Sequence, residues 1–170
     1  MDLKKIIDEI SNFPKKGINF KDITPLLKNP EAFRFAINEM SKWVIKTGST
    51  KIAWTESRGF IFWAAIAFHL WIPFILIRKP WKLPKKIFSQ SYTLEYWEDT
   101  LEIHQEDIQK WDRVYLTDDL LATGGTIAAS TKLIKKSWAK ISGMWFLIEL
   151  GFLNWRGKLE SWEIESLVKY

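Results

Sequence analysis

The sequence predicts an α/β fold, a central, mostly parallel sheet flanked by helices, and three observations predict it. Short apolar runs of strand length alternate with stretches of helical periodicity. The segment 113–130, RVYLTDDLLATGGTIAAS, reads as strand, acidic tip, small-residue turn and helix N-terminus, the unit beyond whose strand open α/β sheets bind ligands. No internal repeat or linker interrupts the 170 residues, so residues 1–170 are expected to form one domain with a buried core.

The elements follow in order. Leu3, Ile6, Ile7 and Ile10 keep helical spacing and predict an amphipathic helix over 3–10. NFPKKG (12–17) is a breaker, and 18–27 is expected to be extended or looped around Pro25. A helix starts at Pro30, with Asn29 as N-cap and proline in the first helical position. Residues 51–55 (KIAWT) are a short strand, followed by ESRGF and an apolar helix ending at Leu70. Residues 73–77 (PFILI) form a second buried strand. Residues 78–106 lack helical pattern, and the alternation in 93–96 and 100–103 signals a β-hairpin. After the strand-turn-helix unit come a strand over 141–150, a short helix over 154–159 and a last strand over 164–168. Strands alternating with helices require a parallel sheet covered on both faces.

Composition narrows the function classes. A net charge of +5 is spread along the chain, consistent with acidic small substrates or with a solvated surface, and no aromatic-basic motif for nucleic acid occurs. There is no cysteine, hence no disulfide framework or thiolate metal site. MDLKKIIDEI is charged rather than a signal peptide. No run of 18 apolar residues occurs, since the longest candidate contains His69 and Pro73. A cytoplasmic protein with no membrane or nucleic-acid partner is expected.

The chemistry concentrates at 118–126. Asp118 and Asp119 can grip hydroxyls or a hydrated divalent cation. Ala122-Thr123-Gly124-Gly125-Thr126 lets backbone N–H groups approach an anion at a helix N-terminus. The turn lacks the lysine of a Walker A loop and the spacing of a dinucleotide fingerprint. Phosphate, polyol and magnesium together point to a phosphorylated sugar.

VYLTDDLLATGGT resembles the phosphoribosyl-pyrophosphate (PRPP) signature of the type I phosphoribosyltransferases. FPKKGINFKDITPLL, TESRGFIF, PFILIRKPWKLP, YTLEYWEDTLEIH and IEL-FLN-R-KL extend the resemblance over nearly the whole chain and direct it to the adenine-specific family. The resemblance implies a small N-terminal hood (1–28) and a flexible hairpin (79–106) around the parallel sheet. It also implies purine salvage by transfer of the 5-phosphoribosyl group from PRPP to adenine, with Mg²⁺ as cofactor and a homodimer as assembly. Asp118 and Asp119 would hold the ribose hydroxyls, and Ala122, Thr123, Gly124, Gly125 and Thr126 the 5′-phosphate. Arg58 would bind pyrophosphate and aid catalysis, helped by Lys79, Lys82 and Tyr96. Asn19, Phe20, Lys21 and Leu120 would surround adenine, although Lys21 stands where the family commonly has arginine. Glu95 would transfer a proton at adenine N7. Mg²⁺ would be held by PRPP and water, with no direct protein ligand assigned. Two rivals share the motifs: a non-catalytic PRPP- or purine-binding regulator, which has no need of Glu95, and a transferase for another purine base.

One number is anomalous. The chain has 11 tryptophans and 8 glycines, where ~7% usage would give about 12 glycines. Trp81, Trp97, Trp111 and Trp155 sit beside Pro, Asp, Asn or a hairpin tip, where turns often need positive φ. The family pattern has glycine at the positions of Trp54, Trp63, Trp71, Trp81, Trp97, Trp111, Trp138 and Trp155. A UGA codon read as glycine is the expected origin, and restoring those eight would double the glycine count.

Overall fold

The computed structural model describes residues 1–93, 98–153, 155, 159 and 162–170. The helix expected over 3–10 does not form. Leu3–Lys5 make one 3-10 turn capped by the Asp2 side chain, and β1 (Asp8–Ser11) pairs antiparallel with β2 (Asn19–Asp22). Leu3 and Ile7 do turn inward, but Ile10 is exposed. So short a helix gains few bonds against its nucleation cost, whereas the 12–17 breaker closes a hairpin that pairs the backbone. Asn12 (φ 61°) and Gly17 (φ 89°) take left-handed conformations there, and Asn12 Oδ1 accepts from the Gly17 N–H at 2.9 Å.

The expected loop around Pro25 is a short helix, α1 (Thr24–Lys28), with proline in its first turn, where the missing N–H is not needed. α2 (Pro30–Lys46) begins as expected: Asn29 Oδ1 accepts from the N–H groups of Glu31 and Ala32, both at 3.1 Å. Its inward face carries Ala32, Ala36, Ile37, Met40 and Val44. β3 (Lys51–Thr55), α3 (Phe60–Leu70) and β4 (Phe74–Ile77) follow the apolar runs closely. β5 (Ile87–Thr93) and β6 (Glu98–His104) form the antiparallel hairpin, with Tyr92 opposite Asp99. β7 (Arg113–Leu121) leads through a turn to α4 (Gly125–Lys136), and β8 (Lys140–Glu149) and β9 (Ile164–Lys169) close the order. Of the short helix expected over 154–159, only residues 155 and 159 are described.

Among the described residues the central sheet has five strands in the order β4-β3-β7-β8-β9, every pair parallel. Neighbouring side chains on each strand serve opposite cores. Trp54, Tyr115, Trp145 and Leu147 pack with α2 and α3 on one face. Ala53, Leu116, Met144 and Phe146 pack with α4 and with Leu101 and Ile103 of the hairpin on the other. Burial on both faces explains why these strands read as continuous apolar runs. The chain goes from β3 to β4 on one side, while β7, β8 and β9 lie on the other. The strand order therefore reverses between β3 and β7, and the crevice beyond their carboxyl ends is where such sheets receive ligands.

Candidate active site

Two connections meet at that crevice. β3 ends at Thr55 and passes into Glu56-Ser57-Arg58-Gly59, and β7 passes through its two acids into the glycine turn. β7 runs further than its apolar residues foretell. Asp118 pairs with Phe146 and Leu121 with Glu149, so the acids lie within the strand and Leu121 ends it. Gly124 then turns at φ 75°, ψ −1° and stands as the N-cap of α4. Left-handed backbone at this point is what glycine supplies without strain. A small pocket of about 70 Å³ opens over the turn, lined by Asp118, Ala122, Thr123, Gly124, Gly125 and Thr126 among others. With a twelve-residue helix behind it, the N–H groups at the start of α4 favour an anion.

Beside it lies a wider cleft of about 530 Å³ that shares Asp118, Leu120 and Thr126 with the first pocket. Its walls bring together Phe20 from the hood, Glu56, Ser57 and Arg58 after β3, Lys79 after β4, Tyr92 and Asp99 from the hairpin, and Asp119 from β7. Arg58 Nε donates to Asp119 Oδ2, and its guanidinium lies 5.3 Å from the centroid of the Phe20 ring, a cation–π distance. Desolvation at the cleft floor, reinforced by the neighbouring Asp119 carboxylate, pushes the Asp118 carboxyl well above the usual aspartate range. Paired carboxylates that resist full ionisation are poised for ligands that donate hydrogen bonds or bring a cation.

The hairpin contributes a second cluster. Lys79 Nζ lies 3.1 Å from Asp99 Oδ2, and that contact holds the ammonium above its ordinary pKa. The Tyr92 hydroxyl stands 3.5 Å from the same oxygen, and its ring lies against the glycine turn, 3.8 Å from where a Cβ on Gly125 would sit. Burial raises the Tyr92 phenol. Next to Lys79, Arg78 Nε donates to Glu56 Oε2.

Most of the residues expected from sequence converge here: Phe20, Arg58, Lys79, Asp118, Asp119, Leu120 and the 122–126 turn line one pocket or the other. Three do not line them. Lys82 is exposed. Asn19 is exposed on β2 and donates to Glu9 Oε2 at 2.7 Å. Lys21 is buried, 2.5 Å from Glu9 Oε2 and 3.9 Å from the centroid of the Tyr170 ring, a position that fastens the hood to the end of the chain. Glu95 and Tyr96 lie outside the described residues. Tyr92, Asp99 and Glu56 escaped the sequence reading. The available signal for the first two was the hairpin's period, which places residues opposite one another, but it needs the register to be read.

A sheet reversed at β3/β7, with a glycine anion turn, paired carboxylates and an arginine-bearing turn in one crevice, defines a phosphoribosyltransferase-type site. No family model matches the chain. Among curated proteins, the adenine phosphoribosyltransferase of Desulfitobacterium hafniense is 49% identical over 170 residues, covering 100% of this chain and 98% of that one. Among solved structures, adenine phosphoribosyltransferase from Thermoanaerobacter pseudethanolicus aligns with a TM-score of 0.95 at 46% identity over 99% of this chain and 98% of its own. The Saccharomyces cerevisiae enzyme, complexed with an imino-altritol bisphosphate and adenine, aligns with a TM-score of 0.91 at 34% identity over 96% of this chain and 94% of its own. The chain belongs to the adenine phosphoribosyltransferase family.

Proposed function

We propose that the protein transfers the 5-phosphoribosyl group of PRPP to adenine, giving AMP and pyrophosphate, as a purine salvage enzyme. The observation that carries this is the meeting, in one crevice, of the Gly124 turn, the Asp118–Asp119 pair and Arg58. In this reading the amides of 122–126 and the hydroxyls of Thr123 and Thr126 hold the 5′-phosphate. Asp118 and Asp119 accept from the ribose hydroxyls. Arg58 leaves Asp119 for pyrophosphate, aided by Lys79, more remotely by Lys82, and by Tyr96 as the resemblance implies. Phe20 and Leu120 sandwich the adenine ring, and Asn19 contributes backbone contacts. Lys21 acts at one remove, by keeping β2 in place.

Adenine N9 forms a bond to ribose C1 as the C1–O bond to pyrophosphate breaks. Negative charge gathers on the leaving group, and the cations at Arg58 and Lys79 stabilise it there. The proton on adenine N7 passes to Glu95, so that neutral base and PRPP yield AMP and pyrophosphate with atoms and charge conserved. The hairpin would exclude water from the reactive sugar by closing over the site. The cleft's carboxylates are hard oxygen donors, compatible with Mg²⁺. The ion would be held by PRPP oxygens and by water bridging to Asp118 and Asp119, and it would supply further charge stabilisation at pyrophosphate.

A homodimer belongs to the same proposal. α3 is apolar outward as well as inward, with Ile61 and Phe68 exposed, as suits a helix that packs on a second copy. A cytoplasmic location goes with a substrate whose phosphate charges bar it from crossing lipid unaided. The test is a PRPP-dependent assay offering adenine, hypoxanthine, guanine and xanthine in parallel. AMP and pyrophosphate from adenine are expected; product from another base in preference would overturn the base assignment, and PRPP binding without turnover would favour a regulator.

A further inference from the structure

Trp71, Trp81 and Trp138 hold left-handed backbone, with φ of 55°, 68° and 58°, and Asn12 is the one other non-glycine among the described residues to do so. Trp71 caps α3, and Trp138 follows the last turn of α4, its N–H donating to the Lys135 carbonyl at 3.0 Å. Those are the places glycine fills at helix ends. Trp81 turns the chain between Lys79 and Lys82. Burial repays none of this strain, since the three residues are 90%, 98% and 79% exposed. Trp54 and Trp63 are buried and stacked with centroids 5.4 Å apart, yet their indole Nε1 atoms have no hydrogen-bond partner among the described residues, whereas buried tryptophan normally finds one. The Trp54 ring lies against the Arg58 turn so closely that a Cβ on Gly59 would fall 1.4 Å from it. Trp111 is not in left-handed backbone, and Trp97 lies outside the described residues.

We infer that these codons are UGA triplets decoded as glycine in the cells that make the protein, so that the working enzyme has glycine at positions 54, 63, 71, 81 and 138, and by the family pattern at 97, 111 and 155. UGA is assigned differently in different genetic codes. Translation under the wrong one inserts a single residue type at every such codon, which accounts for one residue type recurring at unrelated glycine sites. Peptide mass spectrometry of the protein purified from its own cells is the decisive test. Glycine is expected at 71, 81 and 138, and tryptophan there overturns the inference. In the recombinant chain, Trp71→Gly, Trp81→Gly and Trp138→Gly should each raise the melting midpoint by about 2–8 °C; an unchanged or lowered midpoint in all three also overturns it.

A different observation concerns the hairpin and rests on the phosphoribosyl-transfer reading. Asp99 Oδ2 faces both Lys79 Nζ and the Tyr92 hydroxyl, and Asp99 Oδ1 accepts from the Thr100 N–H at 2.8 Å. The Tyr92 ring in turn packs beside Gly125 of the phosphate turn. The geometry assigns Asp99 as a positioning residue that sets Lys79 for pyrophosphate. Calorimetry with PRPP and with AMP, which lacks pyrophosphate, separates this from a general structural role. Asp99→Asn should weaken PRPP about 5–10-fold and AMP less than about twofold, and its effect should vanish in a Lys79→Ala background. Equal loss for both ligands, or additive effects, overturns the assignment, while a parent protein that binds neither ligand defeats the transfer reading itself.

Discussion

The turns at Gly124 and at Trp81 ask the same of the backbone, φ of 75° and 68°, and meet it with opposite residues. At Gly124 there is no side chain, and the space a Cβ would take is already close to Trp155, 3.3 Å from its Cβ. At Trp81 a large ring stands in solvent, contributing strain without burial. A left-handed L-residue costs about 1–2 kcal/mol, so Trp71, Trp81 and Trp138 together cost roughly 3–6 kcal/mol against a total stability of about 5–15 kcal/mol. The difference teaches where the chain is readable as written. The phosphate turn keeps its glycines and its anion pocket, whereas the surrounding scaffold bears the strain.

If the intact turn serves binding and the chemistry resides elsewhere, the two should separate on mutation. Glu95→Gln is expected to lower kcat by about 10²–10⁴-fold while calorimetry finds PRPP affinity unchanged. A loss of affinity as large as the loss of rate would break the separation.

Asp118→Asn/Asp119→Asn should do the reverse, weakening PRPP by roughly 10–100-fold through lost charge-assisted hydrogen bonds. Asp118→Asn alone carries a second signature. Its carboxyl has a folded pKa raised above the ordinary 3.8 by desolvation and by Asp119, so the folded state binds the extra proton. Stability is therefore full below that ordinary value and is lost as pH rises through the raised one. Removing the ionisation should make Asp118→Asn more stable than its parent at neutral pH, with the gap closing under acid; urea denaturation across pH checks it. A variant less stable at neutral pH would mean that the acid pair is structural.

The legibility of the sequence follows the same division. β3 falls on KIAWT and α2 on its Asn29 cap because those signals are local: apolar runs and a capping oxygen two and three residues from its donors. Residues 3–10 misled because their partner strand, 19–22, lies beyond a breaker, and cross-strand pairing overrides a four-residue periodicity. In the site, Asp118, Asp119 and the glycine turn were legible as contiguous chain. Tyr92 and Asp99 were not, since their meeting depends on hairpin register, and neither was the burial of Lys21 against Glu9 and Tyr170. Contacts between residues far apart in sequence leave little trace in it.

The comparison of turns can be inverted directly. Gly124→Ala should cost about 1–2 kcal/mol from the left-handed backbone alone. Trp138→Gly should return a similar amount, because its ring is exposed and leaves no cavity. Chemical denaturation of both variants checks this. Matching signs would show that the two turns are not equivalent.

The smallest effect is expected at Lys82. It shares the strained Trp81 turn with Lys79, yet Lys79 reaches into the cleft and pairs with Asp99, while Lys82 is exposed outside it. A solvated ammonium acts on pyrophosphate only through a screened field, worth about 0.2–1 kcal/mol. Lys82→Ala should therefore weaken PRPP by less than about fivefold, and the loss should fade as salt is raised, whereas the Lys79→Ala defect persists because part of its contact is desolvated. Should Lys82→Ala prove the more damaging of the two, then the loop must reorganise on binding and carry Lys82 inward. A left-handed tryptophan between the two lysines would hinder that movement, and a glycine there would permit it.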